Sequence, residues 1–216
     1  MIKKIVYALL YFVAAHFIYL FISSFFMKEN TLESVNIIIM IKILVFMVAI
    51  VLLVKYLKLN IKSTVLHFTD HENLKHNLYW IFFGLLIAII SQLIIMHIEN
   101  YVFNINNDPN TKAQTIELIK MNRLAIISPI ILSPLFEELV FRKVIFSTLY
   151  KRYSFIAAGT LSSMMFSILH ADLTHLFTYF LIGLILAYSY VKTSNILVPI
   201  SIHALLNTIP IILLFI

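Results

Sequence analysis

An all-α, polytopic membrane bundle of about seven transmembrane helices is the fold this sequence predicts, on three observations. The 216 residues are 62% hydrophobic and 12% charged, with a mean hydropathy of +0.98, too little polar surface to coat a soluble domain of this size. The apolar residues fall in runs of roughly 20, the length that crosses a hydrocarbon core. The chain holds only 3 glycines and 5 prolines, which leaves no room for a low-complexity linker. Zero cysteines exclude disulfides, thiolate metal sites and a cysteine nucleophile. The net charge of +6 comes without a long basic run, so it reads as span flanks rather than a nucleic-acid surface.

The first span is expected at Ile5–Met27. It is too long for a signal-peptide core and lacks a small-x-small cleavage site, so it reads as a retained helix. The second is Asn36–Val54. A polar segment, Lys55–Asn77, reads as an interfacial helix or loop because Leu57, Leu59, Val65, Leu66 and Phe68 sit between its charges. The third span, Leu78–Ile98, opens on the interfacial aromatics Tyr79 and Trp80. Glu99–Arg123 is the longest polar loop, with an Asn-Asp-Pro turn at 107–109 and a helix expected over Thr111–Asn122. The fourth to seventh spans follow at Leu124–Tyr150, Ser154–His170, Leu176–Val191 and Ile196–Phe215. Residues 1–123 thus form a three-span N-terminal part and residues 124–216 a four-helix core. Lys3, Lys4, Lys55, Lys58, Lys62, Lys75, Lys151, Arg152 and Lys192 gather on one side. The positive-inside rule then puts the N-terminus in the cytoplasm and the protein, multi-pass, in the cell membrane.

Three polar constellations interrupt the apolar runs. Ser133–Arg142, SPLFEELVFR, carries Glu137, Glu138 and Arg142 inside the fourth span. Each mid-membrane charge costs roughly 2.5–3.5 kcal/mol on insertion scales, so three together need partners. Glu138 and Arg142 are four apart and can pair, whereas Glu137 lies about 100° away and is left over. His170 closes the fifth span in Phe166-Ser-Ile-Leu-His170, and His203 and Asn207 share a face of the seventh. At about 1.5 Å per residue, Glu137 lies ~20 Å from the Tyr150 end of its span. His170 lies ~24 Å, Asn207 ~17 Å and His203 ~11 Å from the starts of theirs. The heights agree well enough for the four groups to meet in one cavity. Pro134 and Pro199 precede Glu137 and His203 by three and four residues, which predicts kinks and freed carbonyls beside that cavity.

The ordered trio Glu-Glu-x-x-x-Arg, Phe-x-x-x-His and His-x-x-x-Asn, each in its own apolar helix, resembles the motifs of the CAAX-protease and bacteriocin-processing (CPBP, or Abi) family. These are intramembrane endopeptidases related to type II CAAX prenyl endopeptidases. The likeness runs from Leu124 to Asn207 and includes GLILAYSYVKTSNILVPISIHALLN at Gly183–Asn207. The resemblance implies Glu137 as the base that activates water, His170 as a holder of that water, and His203 and Asn207 as oxyanion stabilisers. Glu138 and Arg142 would support them as an ion pair. Amide hydrolysis needs such a base, and imidazole and amide groups supply donors. Glu137, His170 and His203 could equally form a two-His, one-carboxylate zinc site, so the metal stays open. The implied partners are a membrane-proximal peptide or protein substrate, CAAX-like or a peptide precursor, and the bilayer, with no nucleic acid.

Other readings stand beside these. The charged cluster could be a structural ion network, and His203–Asn207 interhelical glue. A non-catalytic bacteriocin-immunity or scaffold protein is the alternative function, and a small transporter with Glu137 as proton carrier a third. His170, Asp172 and His175 could hold a metal at the outer edge, although Asp172 and His175 read as a solvated loop. Lys42 reads as snorkelling or paired, and His16, Gln92 and His97 as packing or interface residues. No HExxH, GxSG or GxGD motif is present.

Overall fold

The computed structural model describes residues 2–26, 31–103 and 117–213. Among these residues the chain is helical and holds no strand. α1 is Ile2–Ser24 and α2 is Leu32–Tyr56. α2 starts on a capping box: Ser34 N donates to Thr31 Oγ1 at 3.2 Å, and Thr31 N donates back to Ser34 Oγ at 3.0 Å. α3, Ile61–Thr69, is capped by Asn60 and lies where the interfacial helix was expected. α4, His71–Phe103, takes in both the end of the expected polar segment and the start of the expected outer loop. Its 33 residues reach about 50 Å, longer than a hydrocarbon core of about 30 Å. Helix resumes at 117–121. The Asn-Asp-Pro turn and most of the Thr111–Asn122 helix lie outside the described residues.

α5, Arg123–Tyr150, is the fourth expected span. It is not one regular α-helix: a 3-10 turn at Arg123–Ile126 leads to π-helical stretches at Ser128–Leu132 and Leu139–Phe146, with α-helical turns at Ser133–Glu138 and Ser147–Tyr150. α6 is Phe155–Leu169, α7 Leu176–Thr193 and α8 Leu197–Leu213. Among the described residues five helices (α1, α2, α4, α5 and α7) are long and apolar enough to cross a membrane. α6 and α8 are apolar but shorter, 15 and 17 residues, or about 22 and 26 Å. The protein is thus a multi-pass helical membrane protein.

Two apolar cores build the bundle, and one of them holds α5. Phe136 of α5 is fully buried. It stacks on Phe12 of α1 at 5.3 Å between ring centroids and packs against Phe46 of α2 at 5.7 Å. On the other side α4, α7 and α8 join through Ala88, Ile182, Leu186, Val198, Ile202 and Leu206. α6 and α7 approach closely at Gly183, where an added Cβ would meet Ser163 Cβ at 2.8 Å and Cα at 3.2 Å. Pro199 does not kink a helix as expected. It falls in the first turn of α8, where its missing N–H has no intrahelical partner to lose. The proline inside α8 is Pro210.

Candidate active site

Glu137 and Glu138 lie in the α-helical turn of α5 between its two π stretches, about 100° apart around the axis, and so meet opposite surroundings. Glu138 is fully buried. Its Oε1 accepts from Arg142 Nη1 at 2.9 Å and from His203 Nδ1 at 2.9 Å. Arg142 also donates through Nη2 to the Gly183 carbonyl at 3.2 Å, and its guanidinium lies 4.3 Å from the centroid of the Phe166 ring. The expected i,i+4 pair therefore forms, and it ties α5 to α6, α7 and α8.

Glu137 faces a cavity of about 530 Å³. His170, His203 and Asn207 line the same cavity, so the groups expected to converge do so. Glu137 Oε2 lies 3.7 Å from His170 Nε2 and 3.8 Å from His203 Nε2. That oxygen is buried and has no hydrogen-bond partner. His170 Nδ1 bonds the Phe166 carbonyl at 2.7 Å. A carbonyl and an ionised carboxylate only accept, so Nδ1 is the donor in both rings and Nε2 is the atom turned to Glu137. His170 is further clamped between Phe166 and Tyr179, whose rings lie 4.3 and 4.2 Å from it.

Asn207 is held by a proline effect. Ser133 N donates to Ser128 O, five residues back. The next bond in that register would run from residue 134 to the Pro129 carbonyl, but Pro134 has no N–H. Asn207 Nδ2 donates to Pro129 O at 2.8 Å instead. The expectation that Pro134 frees a carbonyl at the site is therefore met, and one amide N–H of Asn207 is already engaged.

The two-His, one-carboxylate zinc arrangement does not fit as the side chains stand. A tetrahedral site with bonds of about 2.0–2.1 Å has donor–donor edges of roughly 3.3–3.4 Å, shorter than the separations above. Among the described residues no group of three His, Asp or Glu side chains could hold a metal ion. That also covers His170, Asp172 and His175, where a different structure forms. Glu99 of α4 is buried and caps α7, its Oε1 accepting from Phe177 N and Thr178 N at 3.1 Å each. Its Oε2 takes Thr178 Oγ1 at 2.8 Å and His175 Nδ1 at 3.1 Å. Asp172 Oδ1 caps the same turn through Thr174 and His175. Burial raises the Asp172 pKa, but the Thr174 hydrogen bond, the His175 charge and the backbone bonds outweigh it and leave it below its ordinary value.

Sequence reasoning missed four contributors. Lys42 and Gln92 line the cavity and are neither snorkelling nor plain packing residues. Tyr179 had no sequence signal, being one tyrosine among 11. The Glu99–His175 tie joins residues far apart in the chain. His16 does pack, its Nδ1 bonded to the Phe12 carbonyl at 2.9 Å and its ring beside Phe46.

Known proteins bear on this geometry. Residues 120–209 match the model of the family described as type II CAAX prenyl endopeptidase Rce1-like, a stretch holding all six expected site residues. The chain is 33% identical over 185 residues to the provisionally named membrane peptidase YdiL of Bacillus subtilis (strain 168), covering 86% of this chain and 74% of YdiL. It is 30% identical over 190 residues to the membrane-embedded CAAX protease MroQ of Staphylococcus aureus (strain USA300), covering 84% of this chain and 76% of MroQ. No solved structure matches it at comparable significance. Similarity over most of both chains, with the family match spanning the whole polar cluster, establishes that this protein belongs to the Rce1-like type II CAAX prenyl endopeptidase family of membrane proteases.

Proposed function

We propose that the chain is an intramembrane endopeptidase that cleaves a peptide bond of a membrane-proximal peptide or protein by water that Glu137 activates. The observation that carries this reading is the unpartnered Glu137 Oε2, set beside two Nε2 atoms in a cavity. The gaps of 3.7 and 3.8 Å suit a water that bonds the carboxylate and an imidazole together, since each such bond is about 2.7–3.0 Å. Glu137 takes one proton as the water oxygen bonds to the substrate carbonyl carbon, and the carbonyl π pair moves onto its oxygen. The C–N bond then breaks and the leaving amine takes the proton from Glu137. His170 orients the water. His203 and the second N–H of Asn207 face the developing oxyanion. As a donor, His203 must carry a proton on Nε2 as well as Nδ1, and Glu138 beside Nδ1 is the counter-charge for that form. Residues 124–216 act as the catalytic core, residues 1–123 support it, and the N-terminus lies on the cytoplasmic side of the cell membrane.

The test is reconstitution in liposomes with mass spectrometry of candidate peptides. Wild-type protein cleaves, and Glu137→Gln loses about 10²–10⁴-fold of the rate, the usual contribution of a general base. Full cleavage by Glu137→Gln removes Glu137 from the mechanism. A wild type that never cleaves yet protects cells from a bacteriocin marks a non-catalytic protein.

A further inference from the structure

A groove of about 570 Å³ opens between α1 and α2. Tyr7, Tyr11 and Ala14 of α1 line one wall, and Leu52 and Tyr56 of α2 the other. No charged residue lines it, and it shares no residue with the Glu137 cavity. Tyr7, Leu52 and Tyr56 are exposed, so the groove faces the bilayer. Tyr11 fixes its floor. The Tyr11 hydroxyl donates to the Ala49 carbonyl at 3.2 Å, and the ring meets Phe136 of α5 edge-on at 6.3 Å between centroids. Ile5 is the first apolar residue past Lys3 and Lys4, and Ala14 is nine residues further on, or about 14 Å. Half of a hydrocarbon core is about 15 Å, so the groove occupies one leaflet.

The interfacial end of the groove is cationic. Lys3 and Lys4 precede Tyr7 by four and three residues, on its side of α1. Lys55 and Lys58 flank Tyr56. All four lysines are exposed, and among the described residues none of them is in an ion pair. Residues 1–24 and 34–69 hold no Asp or Glu at all. A spanning helix of a second copy would need a groove as long as a span, and this one ends near the mid-plane. A phospholipid of the nearer leaflet has the matching form, with apolar chains that stop at the mid-plane and a headgroup level with the lysines. We propose that the groove binds an anionic phospholipid. One acyl chain lies along Tyr11 and Ala14, and Lys3, Lys4 and Lys55 hold the headgroup. The bound lipid braces the α1–α2 wall that packs on Phe136, the residue before Glu137. The site takes no peptide and is independent of whether Glu137 activates water.

The test uses the full chain, whose single tryptophan, Trp80 of α4, is replaced by Phe. Tyr7→Trp then places a reporter in the groove, and Leu20→Trp, on the exposed far half of α1, reports ordinary boundary lipid. Each protein is reconstituted in phosphatidylcholine vesicles with an equal small share of chain-brominated phosphatidylglycerol or chain-brominated phosphatidylcholine, and quenching is measured. The Tyr7→Trp reporter is expected to favour phosphatidylglycerol about fivefold, as one lysine beside an anionic headgroup supplies, and the Leu20→Trp reporter to favour neither lipid. Replacing Lys3, Lys4 and Lys55 together by Gln abolishes the preference. Ala14→Phe fills the groove and abolishes it with the lysines in place, and Ala14→Leu serves if the Phe variant does not fold. Equal quenching by both lipids at Tyr7→Trp, or an equal preference at both reporters, overturns the proposal. So does a preference that survives the lysine variant, or one that survives the filled groove and so belongs to the surface charge alone. Quenching by neither lipid at Tyr7→Trp would mean that a protein segment fills the groove, and overturns it too.

Discussion

Glu137 and Glu138 are neighbours in the chain with opposite surroundings, and each predicts its own mutant. Glu138 and Arg142 are both fully buried, and removing one partner strands the other's charge. Arg142→Met is expected to destabilise the protein by about 3–5 kcal/mol, read as a lower melting temperature in detergent and a poor yield of folded protein. Glu138→Gln strands the Arg142 charge and removes the carboxylate beside His203 Nδ1, so it should destabilise the protein as well and lower kcat, with little change in KM, in the fraction that folds. The identities of these residues were legible in the sequence because ionisable groups in an apolar run are conspicuous. Their division of labour was half legible. The i,i+4 spacing set Glu138 with Arg142, but the bond from His203 to Glu138, at 2.9 Å, joins positions 65 residues apart. Lys42 was as conspicuous as the glutamates. The sequence carries no rotation about α2, and so no sign that it faces the cavity rather than snorkelling or pairing.

The widened turns of α5 explain more of the site than the motif spacing does. Pro134 leaves the Pro129 carbonyl unpaired, and Asn207 from α8 bonds it. Asn207→Ala should therefore cost about 1 kcal/mol, the net worth of one hydrogen bond to a half-buried carbonyl. In the Pro134→Ala background the new N–H can bond Pro129 O, and the cost of Asn207→Ala should shrink. A double-mutant cycle by thermal melting measures that coupling, and equal costs in both backgrounds would refute it. Gly183→Ala drives a Cβ into Ser163 and shifts the carbonyl that Arg142 bonds. A loss of about 1–3 kcal/mol is expected from overpacking, together with reduced cleavage. In the turn before α7, Asp172 has a pKa below its ordinary 3.8. Its contribution is fully present above the ordinary value and is lost as pH falls through the lowered one. Amide protection at Thr174 and His175 should follow that course by hydrogen exchange. Apolar run length predicted the positions of most elements. It missed the π turns, beside which Pro134 leaves the Pro129 carbonyl free and Ser162 of α6 bonds the Phe141 carbonyl at 3.0 Å.

At the scale of the molecule, six polar groups of α5, α6 and α8 gather around one cavity and an adjoining ion cluster, buttressed by α1 and α2 on one side and α4 and α7 on the other. Apolar run length predicted this bundle, and the agreement of heights predicted the convergence. The continuous α4 was not legible, because its polar ends at His71–Asn77 and Glu99–Phe103 look like loops when burial by other helices is unknown. Exhaustive chelation is expected to leave cleavage intact, since the Glu137–imidazole separations exceed those of a zinc site. Activity lost on chelation and restored by zinc would show that the three side chains close round a metal in the working enzyme. The most direct measurement of the central claim is a single turnover in ¹⁸O-water, followed by mass spectrometry of the product that carries the new carboxyl group. Attack by water on the peptide carbonyl, with Glu137 as base, puts one ¹⁸O into that product in the first turnover. A first-turnover product without label would mean that an oxygen of the protein, Glu137 itself, attacked the carbonyl, and would contradict the account.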